Sequence, residues 1–344
     1  MQRTLGNVCV GVVWVYAALT LLWFGLHARL GDAFWWLTLL NIAAPYLFLP
    51  LALLLPACLL CRRWDFWLGT FVPLLLFLLL YGKLFLPGGA AAASDTDERL
   101  TVMTFNIWGF SRSAETARAL LQDGTPDIVV LQELSHEMSQ VLEEELGDVY
   151  PYRLLNTEPA NRHSGVLSRY PVNELEPERY ADPGWRIQVY RVEVGERAFV
   201  LYNVHLRVVN FWTLSDGLGA FAEEIQAGAR YRAEQARWIL EDMAHRPEPV
   251  IIAGDFNTTD QSDAYRLLAA QLTDAYRAAG WGLGHSFPAY SGRLTGIPIP
   301  RRLVRIDMIL VSDAFVPLRS RAGAVYGESD HLPMWAELAW PVGR

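Results

Sequence analysis

Six short segments of this chain end in the same small set of polar residues: Thr104-Phe-Asn106, Leu131-Gln-Glu133, Asn203-Val-His205, Gly254-Asp255-Phe-Asn257, Arg305-Ile-Asp307 and Ser329-Asp330-His331. Each follows or overlaps a short apolar run that reads as a buried strand. Carboxylates, amides and imidazoles at the ends of buried strands are costly to desolvate unless something uses them. A hard cation together with a phosphate ester would use all of them.

Taken singly, each signal has a plain structural alternative. Glu133 closes Ile-Val-Val-Leu-Gln-Glu and is placed to hold Mg²⁺, which keeps few protein oxygens and several waters; it can equally cap the helix that starts near Ser135. Asp255 and Asn257 alternate along an extended chain and so share one face, or they form an Asx-turn. Asp330 and His331 set an acid beside a base, and Asp307 can fix the His331 tautomer and raise its basicity. His205 is a second strand-end imidazole, and Asn106 is the weakest single signal. His136, His245 and His285 read as structural.

The elements that position these residues follow from apolar periodicity. Leu100–Phe105, Asp127–Gln132, Gly165–Ser168, Val250–Ala253, Val304–Val311 and Met334–Leu338 read as strands. Ile187–Val194 and Ala198–Val204 read as a hairpin around Gly195-Glu196. Ser113–Gln122, Ser135–Leu146 and Ala229–Ala244 read as helices. Continuous apolar strands alternating with helices imply an α/β layered domain. It is expected over residues 100–344, after a small, polar linker at 91–99.

The first 90 residues are different. Three apolar stretches, about 8–27, 34–60 and 66–86, approach or exceed the ~20 residues that a membrane-crossing helix needs. The second carries Pro45, Pro50 and Pro56 and is expected to tilt or kink. Arg3 and the Arg62-Arg63 pair place the N-terminus and the second loop in the cytoplasm by the positive-inside rule. The expectation is a multi-pass protein of the inner (plasma) membrane, with the later domain on the extracytoplasmic, periplasmic side. Cys9, Cys58 and Cys61 all fall within or at the ends of these stretches, so the later domain has no disulfide framework.

Charge separates the two halves as well. The chain holds 29 basic and 37 acidic residues. Taking away the five basic and two acidic residues of the first 90 leaves 24 and 35, a net of −11 for residues 91–344, with no Lys at all. An acidic surface repels the phosphate backbone that dominates nucleic-acid affinity, which disfavours duplex DNA as a partner. Few Lys against many Arg, Ala and Leu suggest a GC-rich bacterial genome.

Together the stretches TFNIW, VVLQE, RHSGVLSRYPV, YNVHL, IIAGDFNT, RIDMILVS and SDHLPM resemble the endonuclease/exonuclease/phosphatase (DNase I-like) superfamily over about residues 100–340. Its members include DNase I-like nucleases, abasic-site endonucleases, inositol polyphosphate 5-phosphatases and neutral sphingomyelinases. The resemblance implies a four-layer α/β sandwich and metal-dependent cleavage of a P–O bond by in-line attack of water. By the same resemblance, Glu133 is the principal ligand of Mg²⁺ (or Mn²⁺), with Asn106 and Asp330 nearby. His331, oriented by Asp307, is the general base or the imidazole on the scissile phosphate, with Asp255 its rival for activating water. Asn257 and His205 hold phosphoryl oxygens. Some family nucleases carry an acid two residues after the first Asn; here that position is Trp108, which favours a single-metal site.

Substrate is addressed by three segments. Arg162 and His163, before Gly165, are candidate substrate contacts, as are Arg301 and Arg302, whose guanidinium groups suit an anionic head group. The apolar run from Val208 through Phe221 dips into a membrane interface, holds an acyl chain, or packs on its own domain. The expected function is a membrane-anchored phosphodiesterase or phosphatase acting on a lipid head group or small phosphate ester. The alternatives are an extracytoplasmic nuclease and a degenerate, membrane-tethered binding module.

Overall fold

A computed structural model describes residues 2–61, 63–86, 98–121, 124–157, 163–176, 186–294 and 297–341. Fourteen strands are present among them. The first seven are β1 (Glu98–Asn106), β2 (Ile128–Gln132), β3 (Tyr152–Asn156), β4 (Ser164–Ser168), β5 (Val172–Leu175), β6 (Arg186–Val194) and β7 (Arg197–His205). The rest are β8 (Val250–Asp255), β9 (Thr273–Asp274), β10 (Gly292–Leu294), β11 (Ile297–Ile299), β12 (Asp307–Val311), β13 (Val316–Ala322) and β14 (Met334–Trp340). Helices α1 (Gln2–Leu30), α2 (Trp35–Ile42), α3 (Leu51–Leu60) and α4 (Trp64–Tyr81) precede them. Helices α5 (Ala114–Ala119), α6 (His136–Leu146), α7 (Leu218–Met243), α8 (Asp263–Ala269) and α9 (Ala275–Ala279) are interspersed.

Two six-stranded mixed sheets result, ordered β13-β14-β1-β2-β4-β3 and β5-β6-β7-β8-β12-β9. Alternation along each strand sends one row of side chains between the sheets and the other outward. Val102, Val130, Tyr190, Leu201, Ile251 and Ile309 meet in the inter-sheet core. On the outer face of the first sheet, Met103 and Val129 pack against Ala117, Met138 and Leu142 of α5 and α6. On the second, Tyr202 and Ile252 pack against Trp238, Ile239 and Leu268 of α7 and α8. This is the expected four-layer sandwich. Emptying one inter-sheet position, as in Leu201→Ala, costs about 2–5 kcal/mol because the closed layers cannot collapse around the void.

Several boundaries differ from the sequence expectation. Strand β1 starts at Glu98, inside the stretch read as linker, because it pairs antiparallel with β14 from Glu98↔Trp340 onward. Residues 91–97 of that linker lie outside the described residues. Helix α7 starts at Leu218 rather than Ala229. Strand β12 starts only at Asp307, because the N–H groups of Ile306 and Asp307 go to Ser286 Oγ instead of a neighbouring strand.

Among the described residues two helices, Gly6–Leu30 and Trp64–Phe85, are long and apolar enough to cross a membrane. The middle stretch, expected to tilt or kink, is a bent pair, Trp35–Ile42 and Ala44–Leu60, with 70° between its halves. Pro45 sits at the break, where a missing N–H interrupts the helical ladder. Helices α1 and α4 run parallel: Val13 packs with Phe66 at one end, and Trp23 packs with Leu76 and Tyr81 toward the other. Both therefore end on the α/β domain, and the 35–60 segment carries the chain back between them.

The four helices are fastened to the sandwich by side chain and backbone alike. Thr259 Oγ1 donates to Asn41 O at 3.4 Å, Arg266 Nη1 donates to His27 O at 3.1 Å, and Gly282 N donates to Leu84 O at 2.6 Å. Tyr276 and Met334 of the domain are buried in the same apolar cluster as Leu37, Phe48 and Tyr81.

Candidate active site

Strand register gathers the polar strand ends. In the second sheet His205 lies beside Asp255, and Asp255 beside Asp307. In the first sheet Asn106 pairs with Gln132, which precedes Glu133. His331 arrives on the loop that enters β14, where Ser329 Oγ donates to Asn106 O at 2.7 Å and accepts the His331 N–H at 3.0 Å. The two sheets therefore present eight of the expected residues at one common edge.

Asn106 joins the two sheets. Its Nδ2 donates to Glu133 Oε1 at 3.1 Å and to Asp255 Oδ2 at 3.0 Å, while its Oδ1 accepts from Trp108 N. So oriented, Asn106 offers the carboxylates an N–H and would have to turn its amide to offer a cation an oxygen. Asp255 is 1% exposed and also accepts the backbone N–H of Asn257 at 2.8 Å. The Asn257 side chain donates to Leu206 O and to Asp255.

His331 Nδ1 lies 2.9 Å from Asp307 Oδ2, and its Nε2 faces Asp255 and Asp330 at 3.8 and 3.9 Å. Phe287 covers the ring at a centroid distance of 4.8 Å. Burial works against a charged ring here, but the Asp307 and Asp255 carboxylates outweigh it and raise the His331 pKa to about 10. Burial, reinforced by the Asp307 charge, pushes Asp255 up to about 7 despite His331. His331 is therefore protonated at neutral pH, and Asp255 is the carboxyl that changes protonation near neutrality.

His205 behaves oppositely. Burial lowers its pKa to about 4, so the ring is neutral at pH 7. Arg186 Nη1, which can only donate, lies 3.3 Å from Nδ1. That places the His205 proton on Nε2. Among the described residues this buried Nε2–H has no hydrogen-bond partner, and Glu133 Oε1 and Asp255 Oδ2 stand off at 3.6 and 3.8 Å. A free donor held in a buried polar cleft is a ready contact for an anionic oxygen.

The donor set suits a divalent cation. Glu133 and Asp330 keep side-chain exposures of 28% and 26%, the one beside His205 and the other beside His331. Burial and the Glu133 charge push the Asp330 carboxyl above its ordinary value despite His331, a repulsion that a bound cation would relieve. Asp255, Asp307 and His331 also offer donor atoms within 4.8 Å of one another. His331 Nδ1 and Asp307, however, are engaged with each other.

The backbone is strained around the site. Five non-glycine residues among those described have positive φ, and Trp108 (59°), Glu133 (54°), His163 (42°) and Asn257 (49°) lie at or beside this cleft. Such conformations cost about 1–3 kcal/mol each and concentrate where geometry is functional.

The expected substrate residues are dispersed. His163 lines a cleft of about 370 Å³ next to Glu133, with Ser135, His136, Thr157 and Arg186. Arg162 lies outside the described residues. Arg301 and Arg302 are exposed, and Arg302 is held through its backbone to Pro288 O and His285. His136, expected to be structural, also faces the cleft. Arg186 and Ser286 escaped sequence reading because neither stands at the end of an apolar run, and Ser329, read only as part of its segment, gains its role from the bond to Asn106 O. Arg305 is structural: its Nη2 lies 2.7 Å from Asp274 Oδ2, with both side chains buried.

The Endonuclease/Exonuclease/phosphatase family model matches residues 103–331, more than half of the chain. No curated protein matches the sequence. Among solved structures, an endonuclease/exonuclease/phosphatase family protein from Bacteroides thetaiotaomicron is 18% identical, with 72% of this chain and 100% of that chain covered and a TM-score of 0.53. A second, from Bacteroides vulgatus, is 20% identical, with 71% and 100% covered and a TM-score of 0.51. TDP2 from D. rerio, complexed with a single strand DNA product, is 20% identical, with 70% and 99% covered and a TM-score of 0.53. These likenesses share the fold, and with the matched residues running from inside β1 to His331, the chain belongs to the endonuclease/exonuclease/phosphatase family and is a hydrolase of phosphoric ester bonds.

Proposed function

We propose that this hydrolase is a membrane-anchored phosphoesterase whose substrate is a lipid head group or a small phosphate ester presented at a membrane face. The observation that carries the reading is the placement of the protonated His331, held by Asp307, and of the His205 Nε2–H, which has no partner among the described residues, on either side of Asp255. Two donors of different charge then face one carboxyl that ionises near neutrality. In this reading Asp255 takes the proton of the attacking water, while His331 and His205 hold phosphoryl oxygens as charge builds on them. Asn106 keeps Glu133 and Asp255 in fixed relation, and the Asn257 backbone orients Asp255. Glu133 and Asp330, joined by Asn106 with its amide turned, would hold a divalent cation, Mg²⁺ or Mn²⁺. That cation, when bound, supplies Lewis-acid stabilisation of the developing negative charge.

Anchoring is read from the two long apolar helices and the bent pair between them. Arg3 and Arg63 lie at the helix ends remote from the domain, which supports a cytoplasmic N-terminus and an extracytoplasmic domain in the plasma membrane. The net charge of −11 over residues 91–344 favours a membrane substrate over duplex DNA. A nuclease is the second reading, favoured by the single strand DNA product held by the similarly folded D. rerio protein.

The test is a panel of phospholipid vesicles, soluble phosphate esters, single-stranded DNA and plasmid DNA, offered to the full chain in nanodiscs with Mg²⁺. Turnover of lipid or small esters without DNA cleavage is expected. DNA cleavage without ester turnover would replace the first reading by the second. The full chain is needed because Tyr276 and Met334 lose their apolar cover without the N-terminal helices.

A further inference from the structure

We infer that the α/β domain itself rests on the bilayer, immersing an apolar rim built from residues 208–218 on one side and Trp281 on the other. The inference rests on reading the N-terminal helices as membrane spans.

Two separate observations lead to it. The first is the stretch after His205, expected from sequence to insert, to hold a chain or to pack inward. It divides in the structure. Phe221 is buried against Trp35 of α2, with ring centroids 6.5 Å apart, and Phe211 packs on Phe221 at 6.1 Å. Trp212, Leu214 and Leu218 instead face outward, 60%, 43% and 61% exposed. This surface is joined, through the Phe211–Phe221–Trp35 contacts, to the start of α2, where Phe34 and Trp36 are also exposed.

The second observation lies beside the other span. Trp281 is 71% exposed and packs edge-on against Phe85, at the end of the helical stretch that includes α4, at 6.3 Å. Its backbone is tied to the same helix end by the bond from Gly282 N to Leu84 O. Exposed apolar patches, Trp212 with Leu214 and Leu218 at one place and Trp281 with Phe85 of the helix end at the other, are costly in water. Both groups adjoin the domain-facing ends of candidate spans, at the level where amphipathic aromatic rings are enriched in membrane proteins. A bilayer is the occupant that covers both at once.

The rim bears on the substrate. Residue 208 is three positions after His205, and Leu206 O accepts from the Asn257 side chain inside the site. Seating the rim in the head-group layer therefore holds the mouth of the cleft against lipid phosphates.

An environment-sensitive fluorescent amino acid is introduced singly at positions 214, 281, 19 and 196 of the otherwise unchanged full chain, in nanodiscs containing spin-labelled lipid. Leu19 is an exposed position within α1, and Glu196 lies on the β6–β7 turn. All four are exposed, so each substitution leaves the core intact. Quenching at 214 and 281 is expected to approach that at 19 and to exceed that at 196 several-fold. If 214 or 281 behaves like 196 while 19 is quenched, the inference is overturned and the anchor stands. If 19 is also unquenched, the anchor reading fails and the inference with it.

Discussion

Asp32 and Asp263 each accept the other's backbone N–H: Asp32 N lies 2.9 Å from Asp263 Oδ2, and Asp263 N lies 2.8 Å from Asp32 Oδ2. One residue follows the first apolar helix and the other opens α8, which begins eight residues after Asp255. The N-terminal helices are thus joined to the sandwich close to the chain that carries the site.

Gly31 makes this joint possible. Its φ is +54°, and a Cβ there would lie 2.0 Å from Asp263 Oδ1. Gly31→Ala is expected to lower the stability of the full chain by about 1–3 kcal/mol through backbone strain, with displacement of the Asp263 carboxylate added. Thermal unfolding in detergent checks this; an unchanged Tm would mean the joint carries no load.

The buried Arg305–Asp274 pair is a second stability test. Burial would raise the Asp274 pKa, but attraction and hydrogen bonds from Arg305 hold it below the ordinary carboxylate value. Its contribution is therefore complete above about pH 3.9, the unfolded value, and is lost as pH falls through the lowered folded value. Asp274→Asn leaves Arg305 with Asp260 at 3.6 Å. It is expected to cost about 3 kcal/mol at neutral pH, the low end for breaking a buried pair, and to flatten the acid limb of the stability curve. Unfolding midpoints measured between pH 2 and 7 read both effects.

The site makes a pH prediction with a definite sign. kcat/KM should rise as Asp255 ionises near its value of about 7 and fall as His331 loses its proton near about 10. A cation bound beside Glu133 pulls the lower limb acidward. Asp307→Asn removes the main charge holding the proton on His331, so the upper limb should move down toward the ordinary imidazole value. The rate at pH 8 should drop about 10²–10⁴-fold. An upper limb that stays in place would separate it from His331.

Cation binding can be read without turnover. Mg²⁺ or Mn²⁺ at a hundredfold excess over Kd should stabilise the native chain by about 2.7 kcal/mol. Glu133→Ala should abolish that increment, and chelator should reverse it in the wild type. A cation-induced rise in Tm that survives Glu133→Ala would move the ligand set to other residues.

Sequence reading reached the site wherever a polar residue terminates an apolar run. Glu133, His205 and Asp255 are such residues, and strand register sets Asp307, which opens β12 instead, beside Asp255 and His205 in one sheet. It could not reach Arg186, because the partner that gives it meaning, His205, lies across a hairpin rather than along the chain. It took Arg305-Ile-Asp307 as one unit, yet only Asp307 belongs to β12 and reaches His331, while Arg305, in the irregular chain before the strand, turns to Asp274. The edge strands β3, β5 and β13 were missed for a related reason. Their burial is mixed, so the apolar run that marks a covered strand is broken. The middle span bends because Pro45 interrupts it, and from sequence the prolines give a kink but not its 70° size.

In the proposed reaction water attacks phosphorus in a site organised by the His331–Asp307 dyad. The most direct measurement is initial-rate hydrolysis of lipid and soluble phosphate esters, with Mg²⁺, by the full chain and His331→Ala in parallel in nanodiscs. Turnover by the native chain is expected, with a loss of at least about 10²-fold in the variant and its Tm response to Mg²⁺ retained. Equal rates for the two proteins, or no ester turnover by the native chain while it cleaves DNA, would contradict that reaction.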